Sequence, residues 1–180
     1  EIFSGDWSSD VCSSDLGLMS ARSNDLCGIV NGLDYDDWNP ETDWRIAKNF
    51  GIDNFRKNKP LNKTALQEEL GLNKDSHVML IGMVSRLTDQ KGFDLVDYVM
   101  DELCQDAVQI VVLGTGDVKY ENMFRHFAWK YSGRVSANIY YSDELSHKIY
   151  ASCDAFLMPS LFEPCGLSQL MSLRYGTDRK

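Results

Sequence analysis

A carboxylate, a thiol and a glycine stand together in residues 162–170, between an apolar run and a helical pattern. The apolar run, residues 155–159, predicts a strand, and residues 167–175 have a helical pattern. Backbone N–H groups at a helix start are unpaired and lie at the positive end of the helix dipole, which favours a phosphate or a sugar hydroxyl. Glu163 beside such a site indicates a glycosyl phosphate, held by backbone contacts and oriented through its hydroxyls. A surface carboxylate without a ligand is the alternative.

Two cations flank a predicted turn in residues 85–91. The guanidinium of Arg86 and the ammonium of Lys91 together can neutralise a diphosphate leaving group. Stabilisation of developing charge is often the largest contribution to catalysis. The alternative interpretation is a pair of solvated loop cations.

Four further residues are candidates on weaker grounds. Gly114 and Gly116 follow a predicted strand and allow close backbone approach, although a lone GxG is a weak signal and a turn without a ligand is the more common explanation. Tyr141 either stacks on a base or caps the core. Cys165 is either a packed thiol or part of a sugar pocket, and no histidine nearby in the sequence marks it as a nucleophile.

Strands and helices alternate from residue 78 onward and must position these candidates. Buried or alternating strands are predicted at residues 78–84, 108–113, 135–141 and 155–159. Helices are predicted between and after them, at residues 92–104, 120–131, 143–152 and 167–175. This order predicts an α/β fold with a Rossmann-like parallel sheet and helices on both faces. Ligands of such sheets bind beyond the carboxyl ends of the strands, where all the candidate loops fall.

The segment before the sheet is harder to interpret. Residues 34–61 are polar and aromatic with little periodicity and contain Pro40 and Pro60, so we predict a long, partly ordered connection. A helix is predicted to begin at Asn62, and Asp143 is the predicted N-cap of a later helix.

Composition excludes several classes of partner. The net charge is −9 without a basic stripe, which argues against nucleic acid or an anionic membrane surface. No apolar run approaches the ~20 residues of a transmembrane helix. The five cysteines show no CxxC spacing and the three histidines lie far apart, so neither a zinc site nor a disulfide framework is expected. A reducing cytoplasm fits this cysteine usage.

Both ends of the chain differ in character from the rest. Residues 6–16 form an Asp/Ser near-repeat that resembles a translated sequencing adapter, and Asp178 to Lys180 resembles the opposite strand of the same adapter. We therefore expect residues 1–16 to be a non-native, disordered arm and residues 178–180 a non-native tail. A native Ser/Asp-rich disordered arm is the alternative.

Six stretches of the sequence together resemble bacterial glycogen synthases and plant starch synthases, in order over nearly all of residues 17–177. They are VNGLDYDDWNPETD, KTALQEELGL, VSRLTDQKGFDLV, VLGTGD, SHKIYASCDAFLMPSLFEPCGLSQL and LRYGT. The resemblance implies a retaining glycosyltransferase of the GT-B fold, with two Rossmann-like domains facing each other across a cleft. This family transfers glucose from ADP-glucose to the non-reducing end of an α-1,4-glucan, glycogen in bacteria.

The resemblance also implies roles for the candidate residues by motif position. Arg86 and Lys91 would bind the ADP phosphates and stabilise the leaving group, and Glu163 would hold the donor glucose. Contacts to glucose and phosphate would come from Gly166, Leu167 and Ser168. The remaining substrate-binding candidates are Cys165, Gly114, Gly116 and, near the adenine, Tyr141. No metal and no cofactor are expected, because Arg86 and Lys91 supply the positive charge.

The same resemblance implies that this chain is half of a cleft. Residues 17–61 would be the crossover from a missing N-terminal domain, and residues 62–177 an incomplete nucleotide-sugar-binding domain. The family's KTGGL segment and much of the acceptor site belong to the missing domain. We expect the chain alone to lack synthase activity and to be marginally stable, and we expect a bacterial, cytoplasmic enzyme.

Two other functions stay open. One is another GT-B retaining transferase that uses UDP-glucose. Many of those carry a second glutamate eight positions after the first, where this chain has Met171, so this alternative is disfavoured. The other is a non-catalytic nucleotide-sugar-binding half-domain, which fold alone does not exclude.

Overall fold

The computed structural model describes residues 12–179, and the side chains of residues 17–177. The chain divides into two compact units, one up to Asn31 and one from Gly32 onward. The described part of the first unit contains helix α1, Cys12–Ala21, and a 3-10 turn, Ser23–Asp25. Residues 1–11 of the expected arm lie outside the described residues, and its last five residues form the start of α1. Within residues 12–179, no helix is both long and apolar enough to span a bilayer.

A five-stranded parallel sheet forms the centre of the second unit, in the order β3-β2-β1-β4-β5. The strands are β1 Met79–Val84, β2 Val108–Leu113, β3 Val135–Asn138, β4 Ala155–Phe156 and β5 Asp178–Arg179. The helices are α2 Phe55–Glu69, α3 Phe93–Leu103, α4 Val118–Lys130, α5 Asp143–Ser152 and α6 Leu167–Arg174. The predicted Rossmann-like α/β fold is thereby confirmed.

Both faces of the sheet are buried, which explains why its central strands are nearly continuous apolar runs. On one face, Phe93 and Met100 of α3 pack with Phe124 of α4 against the sheet. On the other face, Leu66 of α2 packs with Ile149 of α5. Strands β1 and β2 pair along their full lengths, so their carboxyl ends and following loops meet at one edge.

Three predicted boundaries are wrong by a few residues. Strand β3 ends at Asn138 rather than at Tyr141, because the Asn138 side chain bonds to the Val112 carbonyl and to Ser136 and the chain then leaves the sheet. Strand β4 is limited to two residues rather than five. The N-cap of α5 is Ser142 rather than Asp143, because the Ser142 hydroxyl accepts the Leu145 N–H at 3.1 Å.

The segment before the sheet is ordered by its own polar side chains, contrary to the predicted partly ordered connection. The Asn49 amide donates to the backbone carbonyls of Pro40 and Asp43, and Phe50 is buried in the core. Helix α2 begins at Phe55 rather than at Asn62 and contains Pro60, whose ring occupies its second turn. A proline signal predicted a boundary where the helix in fact continues.

Lys59 ties α2 to elements that come much later in the chain. Its ammonium donates to the carbonyls of Tyr150, Ala151 and Tyr175 and to the Thr177 hydroxyl, at 2.7 to 3.2 Å. The last carbonyls of a helix have no partner within it, so this single cation satisfies the ends of both α5 and α6.

Candidate functional site

The loop that carries Arg86 is fixed by backbone contact with the loop after β2. The Leu87 N–H bonds to the Thr115 carbonyl at 2.9 Å, and the Asp117 N–H bonds to the Leu87 carbonyl at 2.7 Å. A Cβ atom on Gly114 would lie 1.9 Å from the Ser85 carbonyl oxygen, and one on Gly116 would lie 2.3 Å from that of Leu87. The close approach predicted for these glycines is therefore made by the Arg86 loop itself.

Lys91 and Glu163 are brought together by two different loops. The Lys91 ammonium lies 2.5 Å from a Glu163 carboxylate oxygen, and the Ser160 hydroxyl donates to the same oxygen at 2.6 Å. Both side chains of the ion pair are largely buried. Lys91 lies in a 3-10 turn, Asp89–Lys91, whose Asp89 carboxylate accepts a short hydrogen bond from the buried Tyr120 hydroxyl. The turn that carries Lys91 is thus anchored to α4, while the ammonium itself bonds to Glu163.

The turn after Glu163 leads into the N-terminus of α6, as the sequence predicts. Gly166 caps the helix in the left-handed conformation, with φ 69°, which a side chain would disfavour. Leu167 and Ser168 begin the helix, so their N–H groups belong to its first turn. Cys165 precedes it half-buried, and none of the four cysteines whose side chains the structure describes is in a disulfide.

A cleft of about 320 Å³ opens at the carboxyl edge of the sheet, between α6 and the loops after β1, β2 and β3. Four predicted site residues line it: Arg86, Gly114, Tyr141 and Ser168. Tyr141 is 88% exposed, so the alternative that it caps the core is wrong. Gly116, Lys91 and Glu163 are not wall residues of this cleft. The segment from Glu163 to Ser168 connects the ion pair to the cleft along the chain.

Several residues that line the cleft were not among the predicted site residues. Tyr150, Met171 and Trp38 all line the cleft. Burial raises the pKa of Tyr150 to about 12, against the opposing effect of a hydrogen bond with Ser168. Met171 stands where the alternative transferases carry a second glutamate. Trp38 lies in the segment for which the sequence predicts only a long, partly ordered connection, and its place in the WNP stretch is its one link to the motifs.

The electrostatics and the shape of the site complement each other. A guanidinium and an ammonium on one loop, together with the N–H groups of the first turn of α6, suit a diphosphate. The aromatic walls of the cleft suit a flat ring, and the Glu163 carboxylate suits sugar hydroxyls. Together with the parallel sheet and its flanking helices, these features define the class: an α/β domain whose cleft at the carboxyl edge suits a phosphorylated ligand that also bears a flat ring.

Comparison with known proteins gives the family. The family model for glycosyl transferases group 1 matches residues 62–177, and the chain belongs to that family.

Relatives of known name agree. The chain is 72% identical over 161 residues to a glycogen synthase from Lachnospira eligens, and 66% identical to one from Lachnoclostridium phytofermentans. Each match covers 89% of this chain but only 34% of the relative. Among solved structures, the catalytic domain of starch synthase IV from Arabidopsis thaliana, bound to ADP and acarbose, superposes with a TM-score of 0.81 at 36% identity. This superposition covers 91% of this chain and 34% of the plant domain. The resemblance to glycogen and starch synthases drawn from the motifs is confirmed.

Proposed function

We propose that this chain is the donor-binding part of a glycogen synthase, which transfers glucose from ADP-glucose to the non-reducing end of an α-1,4-glucan with retention of configuration. The observation that carries the proposal is the contact between Lys91 and Glu163 beside the N-terminus of α6. It joins a cation suited to phosphate to a carboxylate suited to sugar hydroxyls. A nucleotide sugar needs both where its sugar is bonded to its diphosphate.

In this proposal different residues of the chain bind different parts of the donor. Arg86 and Lys91 neutralise the diphosphate as the bond from the glucose C1 to the phosphate oxygen breaks. Glu163 accepts hydrogen bonds from glucose hydroxyls, and Gly166 to Ser168 offer N–H groups and a hydroxyl to the glucose and the phosphate. Electrostatic stabilisation of this kind is typically worth a factor of about 10²–10³ in turnover for one group. We propose no metal and no cofactor, since the two cations supply the positive charge.

Supporting the ADP-glucose assignment are the high identity to named glycogen synthases and Met171 in place of a second glutamate. The chain spans about a third of those relatives, so the acceptor glucan and the remaining domain are part of the proposal. The bacterial relatives support a bacterial enzyme, and we propose that it acts in the cytoplasm. That the chain alone lacks synthase activity stays a prediction.

A chimera tests the proposal directly. The matching region of the Lachnospira eligens glycogen synthase is replaced by that of this chain, and glucose transfer to glycogen is measured with ADP-glucose and UDP-glucose. The variants Lys91→Met and Glu163→Gln are compared with Lys74→Met and Glu68→Gln, which alter an exposed ion pair of similar length, 2.9 Å, away from the site.

We expect the two site variants to lower kcat by about a hundredfold or more, and the two control variants to leave it unchanged. Unchanged turnover in Lys91→Met and Glu163→Gln would refute the assigned roles. Preference for UDP-glucose would favour a different retaining transferase. A folded chimera that binds ADP but never transfers glucose would favour the non-catalytic binding module.

A further inference from the structure

The indole of Trp38 lies flat on a buried histidine. Its ring centroid is 3.8 Å from that of His147, and the two planes differ by 11°. Tyr150 and Tyr175 meet the indole edge-on, at 5.7 and 6.3 Å. The Arg174 guanidinium donates to the Trp38 carbonyl at 3.1 Å, so backbone and ring are both held. A half-buried indole that lines the cleft is therefore fixed on one face and along its edges.

His147 is itself held by a buried polar network. Its Nδ1 lies 2.7 Å from an Asp43 carboxylate oxygen and 3.1 Å from the Tyr175 hydroxyl, which donates to the same carboxylate at 2.6 Å. The Tyr175 hydroxyl donates its hydrogen bond to Asp43. Because a carboxylate only accepts, the hydrogen between His147 and Asp43 belongs to Nδ1. The side chains of His147 and Asp43 are fully buried. These bonds fix the plane of the imidazole and with it the plane of the stacked indole.

The second imidazole nitrogen takes no part in this hydrogen-bonded network. His147 Nε2 has no hydrogen-bond partner among the described residues. The carboxylates of Asp37 and Asp143 lie 4.0 and 3.8 Å away, and Arg45 is paired with both of them. The bonds at Nδ1 hold the imidazole from one edge, and the indole of Trp38 packs on its face.

We propose that Trp38 forms the nucleoside-binding wall of the cleft and that His147 is the residue that positions it. This inference rests on the proposed function and adds a wall from outside residues 62–177, the part matched by the family model. Trp38 and Arg86 line the same cleft, and Trp38 packs in the hydrophobic cluster that holds Tyr150 of α5 and Met171 of α6. An aromatic face among such neighbours stacks on a base or packs on a ribose.

Binding of two probes by the 180-residue chain separates this wall from the phosphate site. ADP carries the nucleoside, and inorganic pyrophosphate lacks it. Dissociation constants are measured by titration calorimetry for the unsubstituted chain, Trp38→Ala and Trp38→Phe. The matched control is Trp44→Ala, a tryptophan of the same segment that is 77% exposed. Thermal unfolding is recorded for each variant.

We expect Trp38→Ala to weaken ADP binding about tenfold, Trp38→Phe to weaken it less, and neither to change pyrophosphate binding. The control should bind both probes as the unsubstituted chain does. Equal ADP affinity in Trp38→Ala and Trp44→Ala would overturn this inference alone. Equal losses for ADP and pyrophosphate would also overturn it, because the wall would then act on the phosphates.

The positioning role has its own variants. His147→Ala removes the support, whereas His147→Asn keeps a flat donor near the position of Nδ1. We expect His147→Ala to weaken ADP binding severalfold without affecting pyrophosphate, and His147→Asn to restore part of the loss. If both variants lower thermal stability but bind ADP normally, His147 has only a structural role. If the unsubstituted chain binds pyrophosphate but not ADP, the proposed function itself fails.

Discussion

Replacing Gly114 by alanine would separate the two loops whose contact places Arg86. The new Cβ would lie 1.9 Å from the Ser85 carbonyl oxygen and 3.0 Å from its carbonyl carbon. Cβ atoms essentially never approach other atoms within 3.0 Å. The oxygen that the new Cβ would meet belongs to the backbone, so no side-chain rotation relieves the overlap. The loops must therefore move apart by about 1 Å. A displacement of that size lowers the reaction rate by as much as a hundredfold in well-aligned sites.

The magnitude follows from the bonds that hold the two loops together. The Ser85 N–H bonds to the Leu113 carbonyl at 3.2 Å, and Leu87 makes one bond to Thr115 and one to Asp117, at 2.9 and 2.7 Å. Each is worth about 1 kcal/mol net, so weakening all three lowers the free energy of unfolding by about 2–3 kcal/mol. We expect ADP affinity to fall about tenfold as Arg86 shifts.

Urea unfolding and ADP titration of the same variant measure both effects. The matched control is Gly32→Ala, where an added Cβ meets nothing within 4 Å and the expected change is under about 0.5 kcal/mol. If Gly114→Ala unfolds at the same urea concentration as the control and binds ADP equally well, the loop contact does not set the site.

Three further predictions concern buried groups. Burial alone would raise the pKa of Asp43, but its hydrogen bonds outweigh this and lower the pKa below the ordinary 3.8. Its stabilising contribution is therefore complete above that value and is lost as pH falls through the lowered pKa. Asp43→Asn should flatten the acid limb of a urea-unfolding pH series, and an unchanged slope would contradict this. Lys59→Met leaves three helix-end carbonyls without their cation, so the free energy of unfolding should fall by about 2 kcal/mol, and an unshifted urea midpoint would exclude this. Burial raises the pKa of the Cys153 thiol to about 12, whereas Cys27 is exposed. Mass spectrometry after iodoacetamide should therefore find Cys27 alkylated and Cys153 intact until the protein is unfolded, and alkylation of native Cys153 would show that the core opens.

The sheet and its helices were predictable because their signals are local. Strand β2 was predicted at its observed bounds, since a six-residue apolar run between turn signals has few other uses. Helix α3 was predicted to within a residue at each end from apolar residues at helical spacing. The candidate loops followed from topology, because parallel strands end at the same edge of a sheet.

What failed was the part of the structure that depends on distant partners. Residues 34–54, the part of the predicted connection before α2, have no periodicity because side-chain to backbone bonds, not an amphipathic pattern, order them. Trp38 and His147 are 109 positions apart in the numbering, and a lone histidine in a helix gives no sign of the ring it supports. Likewise, the contact of Lys91 with Glu163 depends on two loops meeting, which spacing along the chain does not encode.

The attachment of α2 to the far end of the domain has a consequence for synthesis on the ribosome. Lys59 bonds to carbonyls 91 and 92 residues later, and Lys63 of the same helix pairs with Asp154, also 91 residues later. At about 5–20 residues per second, α2 waits roughly 5–18 s for its partners. During that interval Leu66 has only the earlier members of its cluster, such as Leu72 and Leu80, to pack on, and its contact with Ile149 of α5 is still to form. The helix is thus fully covered only after α5 has emerged.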